Sequence, residues 1–203
     1  MAEGEQGEGQ GVGRVEAFSD GVIAIIITIM VLELKVPVED GIGHILSMWH
    51  LFLAYVLSYV YVGLYWGNHH RLLGHARHVS NGLIWANLAL LFGLSLVPFG
   101  TAYLGEHEFS RTATQVYLVT LILPSLGYVW LQKVIARTGA QHERARDYHV
   151  QTTRKGYFAM AVYAAGLALT FVSPWLGIAC AALVALFWIV PQTPLDRLFA
   201  PRG

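Results

Sequence analysis

The groups able to do chemistry in this chain gather at few places. Asp20 stands near the start of a strongly apolar run, with Arg14 and Ser19 just before it, and the pair His69–His70 follows much later. A carboxylate about one turn inside a membrane helix is costly unless paired or wet, so Asp20 is a functional or network residue by default, with Arg14, Ser19 and His69–His70 as candidate partners. Phe18, Ser19 and Asp20 also fit a purely structural helix-start cap. His69, His70, His75 and His78 titrate near neutrality and suit a pH-sensing or metal cluster by residue type. Their stretch is basic and holds neither carboxylate nor thiolate, so loop or packing histidines are expected and no metal. Glu33, Glu39 and Asp40, partly offset by Lys35, follow the apolar run. They read either as an outer mouth that concentrates cations or as a solvated loop.

The elements that must position these groups are membrane spans. The chain of 203 residues is 55% hydrophobic and 13% charged, against roughly 25% charged in ordinary soluble domains. That composition indicates a polytopic membrane protein with one membrane domain, and its zero formal net charge points to no nucleic-acid partner. The lone Cys180 excludes an internal disulfide. Residues 1–13, rich in Gly, Glu and Gln, are expected to be a disordered tail. Their acidic start does not read as a secretory signal.

Between Asp20 and Glu33 lie twelve uncharged residues, roughly 18 Å as a helix against about 30 Å of hydrocarbon. So short an apolar helix with acids at both ends belongs at the centre of a bundle or beside water. Five further spans are expected, at about 45–66, 83–104, 114–134, 156–172 and 175–190. A polar connection with four histidines follows the second, and Pro124 should kink or break the fourth. The polar stretch 132–155 reads as an amphipathic or loop connection, and Ser173 with Pro174 forces a tight hairpin between the last two spans. The fold class is therefore all-α, with a six-helix domain over 14–191 and a basic tail over 192–203. Six spans put Arg14, Arg71, Arg77, Lys133, Arg137, Arg144, Arg146, Arg154, Lys155, Arg197 and Arg202 on one side, and Lys35 and Arg111 on the other. Basic residues are retained in the cytoplasm, so both termini are expected there. Trp66, Trp85, Trp175 and Trp188 fall near span ends, as interfacial aromatics do.

On the first helix, Phe18, Gly21, Ile25, Thr28 and Leu32 share one face, with Ile29 beside it. Were several copies to meet around an axis, Ile25, Ile29 and Leu32 would stack as apolar rings and Thr28 as a ring of hydroxyls. Apolar rings can gate an ion path by dewetting. Any buried helix also carries such a stripe, so periodicity alone leaves an ordinary packing role open.

The string RVEAFSDGVIAIIITIMVLELKVP resembles the first-helix signature of the transmembrane protein 175 family of potassium channels, in its short bacterial form, and YWGNHHRL at Tyr65–Leu72 is similar to that family's motif at the end of the second helix. The resemblance implies a homotetramer in the inner cell membrane, with one six-helix unit per subunit, the first helix lining the pore, potassium as permeant ion and no cofactor. It places the constriction at Ile25, with Ile29 and Leu32 as further apolar layers, and potassium preference at Thr28. It also implies a packing network of Arg14, Phe18, Ser19, Asp20, Trp66, Asn68, His69 and His70 that holds the pore helix. Such channels lack the TVGYG filter, as does this chain, where VGLYWG at Val62–Gly67 is only superficially similar. Ile29 stands where other members often carry Leu, a near-equal volume.

A second reading is a proton- or cation-coupled secondary transporter with Asp20 and nearby histidines as relay. Transporters often show internal repeats with broken helices in matching positions, and no second FSDG-like segment occurs. An intramembrane enzyme would need a nucleophile with a base inside the spans, or an HExxH helix, and neither is present.

Overall fold

Val12, Ser19, Ile23, Ile26 and Met30 recur at helical spacing, and all five are buried. They seat the first helix on the rest of the chain. The computed structural model describes residues 2–139 and 143–189, and in it this helix, α1, runs Ala2–Leu32. Residues 2–13, expected to be irregular, are therefore the first turns of α1. Gly11 lies against Val79 and Val12 is buried, so packing carries the helix back through glycines whose intrinsic propensity is poor.

The other helices among the described residues are α2 (Ile42–Ser47), α3 (Trp49–Leu73), α4 (Asn81–Ser95), α5 (Val97–Glu106), α6 (Arg111–Gly139), α7 (Glu143–Leu169) and α8 (Pro174–Ile189). They form the six expected units once α4 and α5 are taken as two halves of one span and α2 as a short exposed helix leading into α3. Gly11–Leu32, Asn81–Glu106 and Arg111–Arg137 are long and apolar enough to cross a membrane, and Pro174–Ile189 is a shorter apolar helix. The expected tail over 192–203 lies outside the described residues.

Three boundaries differ from expectation for packing reasons. α3 continues past Trp66 to Leu73, because Asn68, His69, Leu72 and Leu73 are all buried against the bundle. His69 and His70 are thus helical rather than part of a loop. The stretch 132–155 is helical over 132–139 and again over 143–155. Pro124 lies inside an uninterrupted α6, and the break falls in the third span instead. There α4 stops and α5 restarts after Leu96, with Pro98 in its first turn.

α6 stays continuous where α4 presses on it. A Cβ on Gly93 would come 2.6 Å from the Pro124 nitrogen, and one on Gly127 would come 2.6 Å from the Leu90 backbone. The two antiparallel helices meet backbone to backbone, as small residues allow. α1 covers α3, α4 and α5, while α6 lies against α4 and α5 and hands on to α7 and α8. One core cluster joins Ile23, Ile26 and Met30 to Leu83, Leu90 and Leu94; a second gathers Tyr61, Tyr117, Tyr163, Leu118 and Val184. The α7–α8 hairpin turns within residues 170–173, as expected.

Candidate functional site

α1 is braced on its packed side by a directional chain of buried polar groups. Asn87, on α4, places its amide between two elements: its Nδ2 donates to Ser19 Oγ at 2.9 Å, and its Oδ1 lies 2.7 Å from His69 Nε2 on α3. Since the amide oxygen only accepts, His69 carries its proton on Nε2. Ser19 in turn donates to the Val15 carbonyl at 2.8 Å. Ser19 and His69 are fully buried and Asn87 nearly so. Each hydroxyl and amide here exchanges water for a protein partner, the condition under which burying polar groups is tolerable. His69 Nδ1 has no partner among the described residues.

Two more ties run between α1 and α3. Trp66 Nε1 donates to Asp20 Oδ1 at 2.9 Å, and His70 Nδ1 meets Glu16 Oε1. The second tie corrects the expectation that no carboxylate lies near the histidines, because α1 supplies one from the preceding turn. Asp20 bonds to neither Arg14 nor a histidine. Arg14 is exposed and pairs with no carboxylate among the described residues. It lines, with Phe18, Val79, Ile84 and Leu88, a groove of about 400 Å³ between α1 and α4. Asn68 turns inward, donating to the Leu64 carbonyl at 2.7 Å and accepting from Arg71 at 2.9 Å. His75 Nδ1 donates to the Arg71 carbonyl at 2.8 Å, and among the described residues no group of three metal-ligating side chains forms.

The opposite face of α1 is bare. Phe18, Gly21, Ala24, Ile25, Thr28, Ile29 and Leu32 are all exposed, Ile25 at 58% and Leu32 at 77%, while Ile23 and Met30 on the packed face are at 1% and 0%. The stripe singled out by spacing is therefore the one this chain does not cover with its own helices. Thr28 Oγ1 donates back to the carbonyls of Ile25 at 2.9 Å and Ala24 at 3.1 Å. With its proton spent on the backbone, the hydroxyl turns oxygen lone pairs outward, the donor type a hard cation takes.

Just past the end of α1, Lys35 pairs with Glu106 at the end of α5 rather than with the nearby acids. The carboxylate beside it raises the Lys35 ammonium above its ordinary value of 10.5. Glu39 meets His44 at 3.1 Å, while Asp40 is exposed and Glu33 partly buried. Glu39 and Asp40 thus occupy the loop leading into α2, and Glu33 the turn just past the end of α1.

Spacing missed Glu16, Arg71, Asn87 and Glu106. Asn87 had a signal, an amide inside an apolar run, which in a membrane helix marks a bonded site. Glu16 stands four residues before Asp20 on the same helix face. Glu106 had none, since its partner is remote in sequence.

The family model described as endosomal/lysosomal potassium channel TMEM175 matches residues 14–98, which hold α1, its bracing partners on α3 and α4, and the outer loop. A potassium channel of Chryseobacterium sp. (strain P1-3) is 40% identical over 185 residues, covering 91% of this chain and 96% of the relative. A potassium channel of Streptomyces collinus is 36% identical over 90% of this chain and 94% of the relative. The human endosomal/lysosomal proton channel TMEM175 is 35% identical over 114 residues, 50% of this chain and 22% of that protein. Among solved structures, the lysosomal potassium-selective channel TMEM175 homolog from Chamaesiphon minutus superposes with a TM-score of 0.78 at 31% identity, over 88% of this chain and 96% of that one. With full-length relatives well above 30% identity and the same helical architecture, this chain belongs to the TMEM175 family.

Proposed function

We infer that this chain is the subunit of a potassium channel of leak type, in which four copies turn the bare face of α1 toward a central conduction path. The single observation that carries this reading is the division of α1: Ile25, Thr28, Ile29 and Leu32 are exposed while Ile23, Ile26 and Met30 are buried by the chain's own helices. Although α1 proves long enough to cross a membrane rather than too short as its uncharged run suggested, a helix whose exposed face carries a threonine beside its isoleucines is well covered by copies of itself around water. Ile25 forms the narrowest apolar ring, Ile29 and Leu32 the layers outside it, and dewetting there limits flux. Thr28 presents the ring of hydroxyl oxygens that favours potassium.

The polar chain Ser19–Asn87–His69, the Trp66–Asp20 bond and the Glu16–His70 pair hold α1 in rotation and height, so that the apolar rings stay in register. Arg14 and Phe18 sit at the inner entrance beside the α1–α4 groove. Glu33, Glu39 and Asp40 lend negative potential to the outer mouth. Both termini lie in the cytoplasm, given eleven basic residues on that side against two on the other. The protein is a conduit rather than a catalyst, and potassium is the permeant ion rather than a cofactor. The proton-coupled alternative draws no support from Asp20, whose hydrogen-bond partner is the Trp66 indole rather than a histidine.

The test is ion flux into liposomes holding the purified protein, under potassium, sodium and proton gradients with and without a proton ionophore. Passive potassium flux without a counter-substrate supports the channel, and flux in fixed ratio with a second ion refutes it.

A further inference from the structure

Arg14 is an exposed cation that meets no carboxylate of its own chain among the described residues. It lines the groove of about 400 Å³ between α1 and α4, where Val15 and Phe18 on one side face Val79, Ile84 and Leu88 on the other. Phe18, Ile84 and Leu88 are 55%, 38% and 36% exposed, so this apolar lining is left partly open.

Each residue of a helix turns about 100° and rises about 1.5 Å. Gly11, Arg14, Val15 and Phe18 therefore fall to one side of the packed line Ser19, Ile23, Ile26 and Met30, and Glu16 and Asp20 fall to the other. The first shoulder of α1 borders α4. The second borders α3, which meets it through His70 on Glu16 and Trp66 on Asp20. The bare face lies between the two shoulders. On the α3 shoulder Trp66 is 50% exposed, and the side chains of His70 and Glu16 are 66% and 27% exposed.

What these shoulders do depends on the channel reading, in which bare α1 faces surround a common axis. Each copy then has a neighbour on either shoulder, and a closed ring joins unlike surfaces, the α4 shoulder of one copy to the α3 shoulder of the next. Rotation about an axis keeps equivalent residues at equal height. Arg14 and Glu16 differ by only about 3 Å along the helix, yet within one chain they point about 160° apart and cannot pair. Across the ring the two opposite charges face one another at nearly one level.

We propose that the α1–α4 groove is the seat for the α3 edge of the next copy of this chain. The exposed Trp66 ring of that copy covers the apolar lining, and Arg14 donates to that copy's Glu16. His70 holds one oxygen of the carboxylate, and Arg14 takes the other. A second copy is the occupant because the groove pairs apolar walls with one cation, and the α3 shoulder pairs an exposed aromatic with one acid.

The test uses full-length chains in a Cys180→Ala background. A copy with Arg14→Cys and a copy with Glu16→Cys carry different tags, are expressed together and are treated, once assembled, with a short bis-maleimide. Each copy holds a single thiol, so every crosslink joins two copies. A dimer bearing both tags is expected in large excess over dimers bearing one. Equal yields of the two kinds, or no crosslink, would overturn the proposal; the latter is the outcome if lipid fills the groove. Potassium flux through the unsubstituted protein separates the two failures. Flux without the mixed dimer overturns this contact and leaves the channel standing, whereas no flux refutes both. Independently of the thiols, Arg14→Gln should make the assembly come apart at about fivefold higher protein concentration, the upper range for a partly exposed ion pair. Unchanged dissociation would overturn the pairing of Arg14 with Glu16.

Discussion

Trp66 on α3 donates its indole N–H to Asp20 on α1 across 2.9 Å, so the one carboxylate set inside the first apolar run is held by a side chain from the second span. The bond lies where the packed and bare faces of α1 meet, since Ser19 next to it is fully buried and Phe18 is 55% exposed. The bond ties the position of α1 to that of α3 at this level.

Removing one end of that bond tests its role. Trp66→Phe leaves the Asp20 carboxylate partly buried without its donor, and a hydrogen bond to a charged group is worth about 1.5–3 kcal/mol. Half-exposure of Trp66 brings the loss below that range, to about 1 kcal/mol, or roughly 2–4 °C in Tm for a chain of this size. Asp20→Ala should lower tetramer yield on size-exclusion chromatography. A well-assembled Asp20→Ala channel with altered conductance would assign Asp20 to permeation instead.

Asn87 should matter more, because its amide serves two buried partners at once. Asn87→Leu leaves the His69 N–H without a partner, at about 1–3 kcal/mol, and takes away the donor to Ser19 Oγ, whose own proton stays on the Val15 carbonyl. Ser19→Ala alone strands one N–H of Asn87, so the double variant should be more stable than the sum of the singles. Thermal unfolding in detergent of the four proteins measures the coupling. Strict additivity would mean that the polar chain does not act as a unit.

The bare face of α1 is tested by flux. If Ile25 forms the proposed narrowest ring, Ile25→Asn wets it and should raise potassium flux, about tenfold for each 1.4 kcal/mol removed from the barrier. Thr28→Ala should lower the preference for potassium over sodium while leaving folding intact, since Ala is the better helix former and the lost bonds are only back-bonds to the same helix. Unchanged flux and selectivity in both variants would remove α1 from the path.

Backbone contact between α4 and α6 predicts a sharp contrast among glycines. Gly127→Ala places a methyl 2.6 Å from the Leu90 backbone, which cannot yield as a side chain would, and should cost at least the roughly 1–3 kcal/mol typical of overpacking. Gly63→Ala meets no atom within 4 Å and should be neutral or slightly stabilising through its better helix propensity. The difference in Tm between these two single-methyl variants measures how closely the helices touch.

Just past the end of α1, the pairing of Lys35 with Glu106 has a defined pH sense. The Lys35 pKa is raised above 10.5 in the folded chain by Glu106, so this group's contribution is whole below the unfolded value. It is lost as pH rises through the higher folded one. Amine labelling followed by mass spectrometry should therefore find Lys35 slower to react in the wild type than in Glu106→Gln. Equal rates would mean that the pair does not persist in the membrane.

Local pattern alone determined the membrane class, the all-helical fold and the α1 stripe. Hydropathy and a 3.6-residue period are properties of neighbouring residues and need no knowledge of what they will touch. The tertiary structure decided what depends on partners. It set the span break at Leu96 rather than Pro124, because α4 presses its backbone on α6 at the proline. It drew residues 2–13 into α1 through Gly11 on Val79, and paired Asp20 with Trp66 rather than with Arg14. It also brought Asn87 between Ser19 and His69, and Glu106 to Lys35. Each of these is a contact between residues far apart in the chain, and its free energy exists only once the helices have chosen the faces they present to one another.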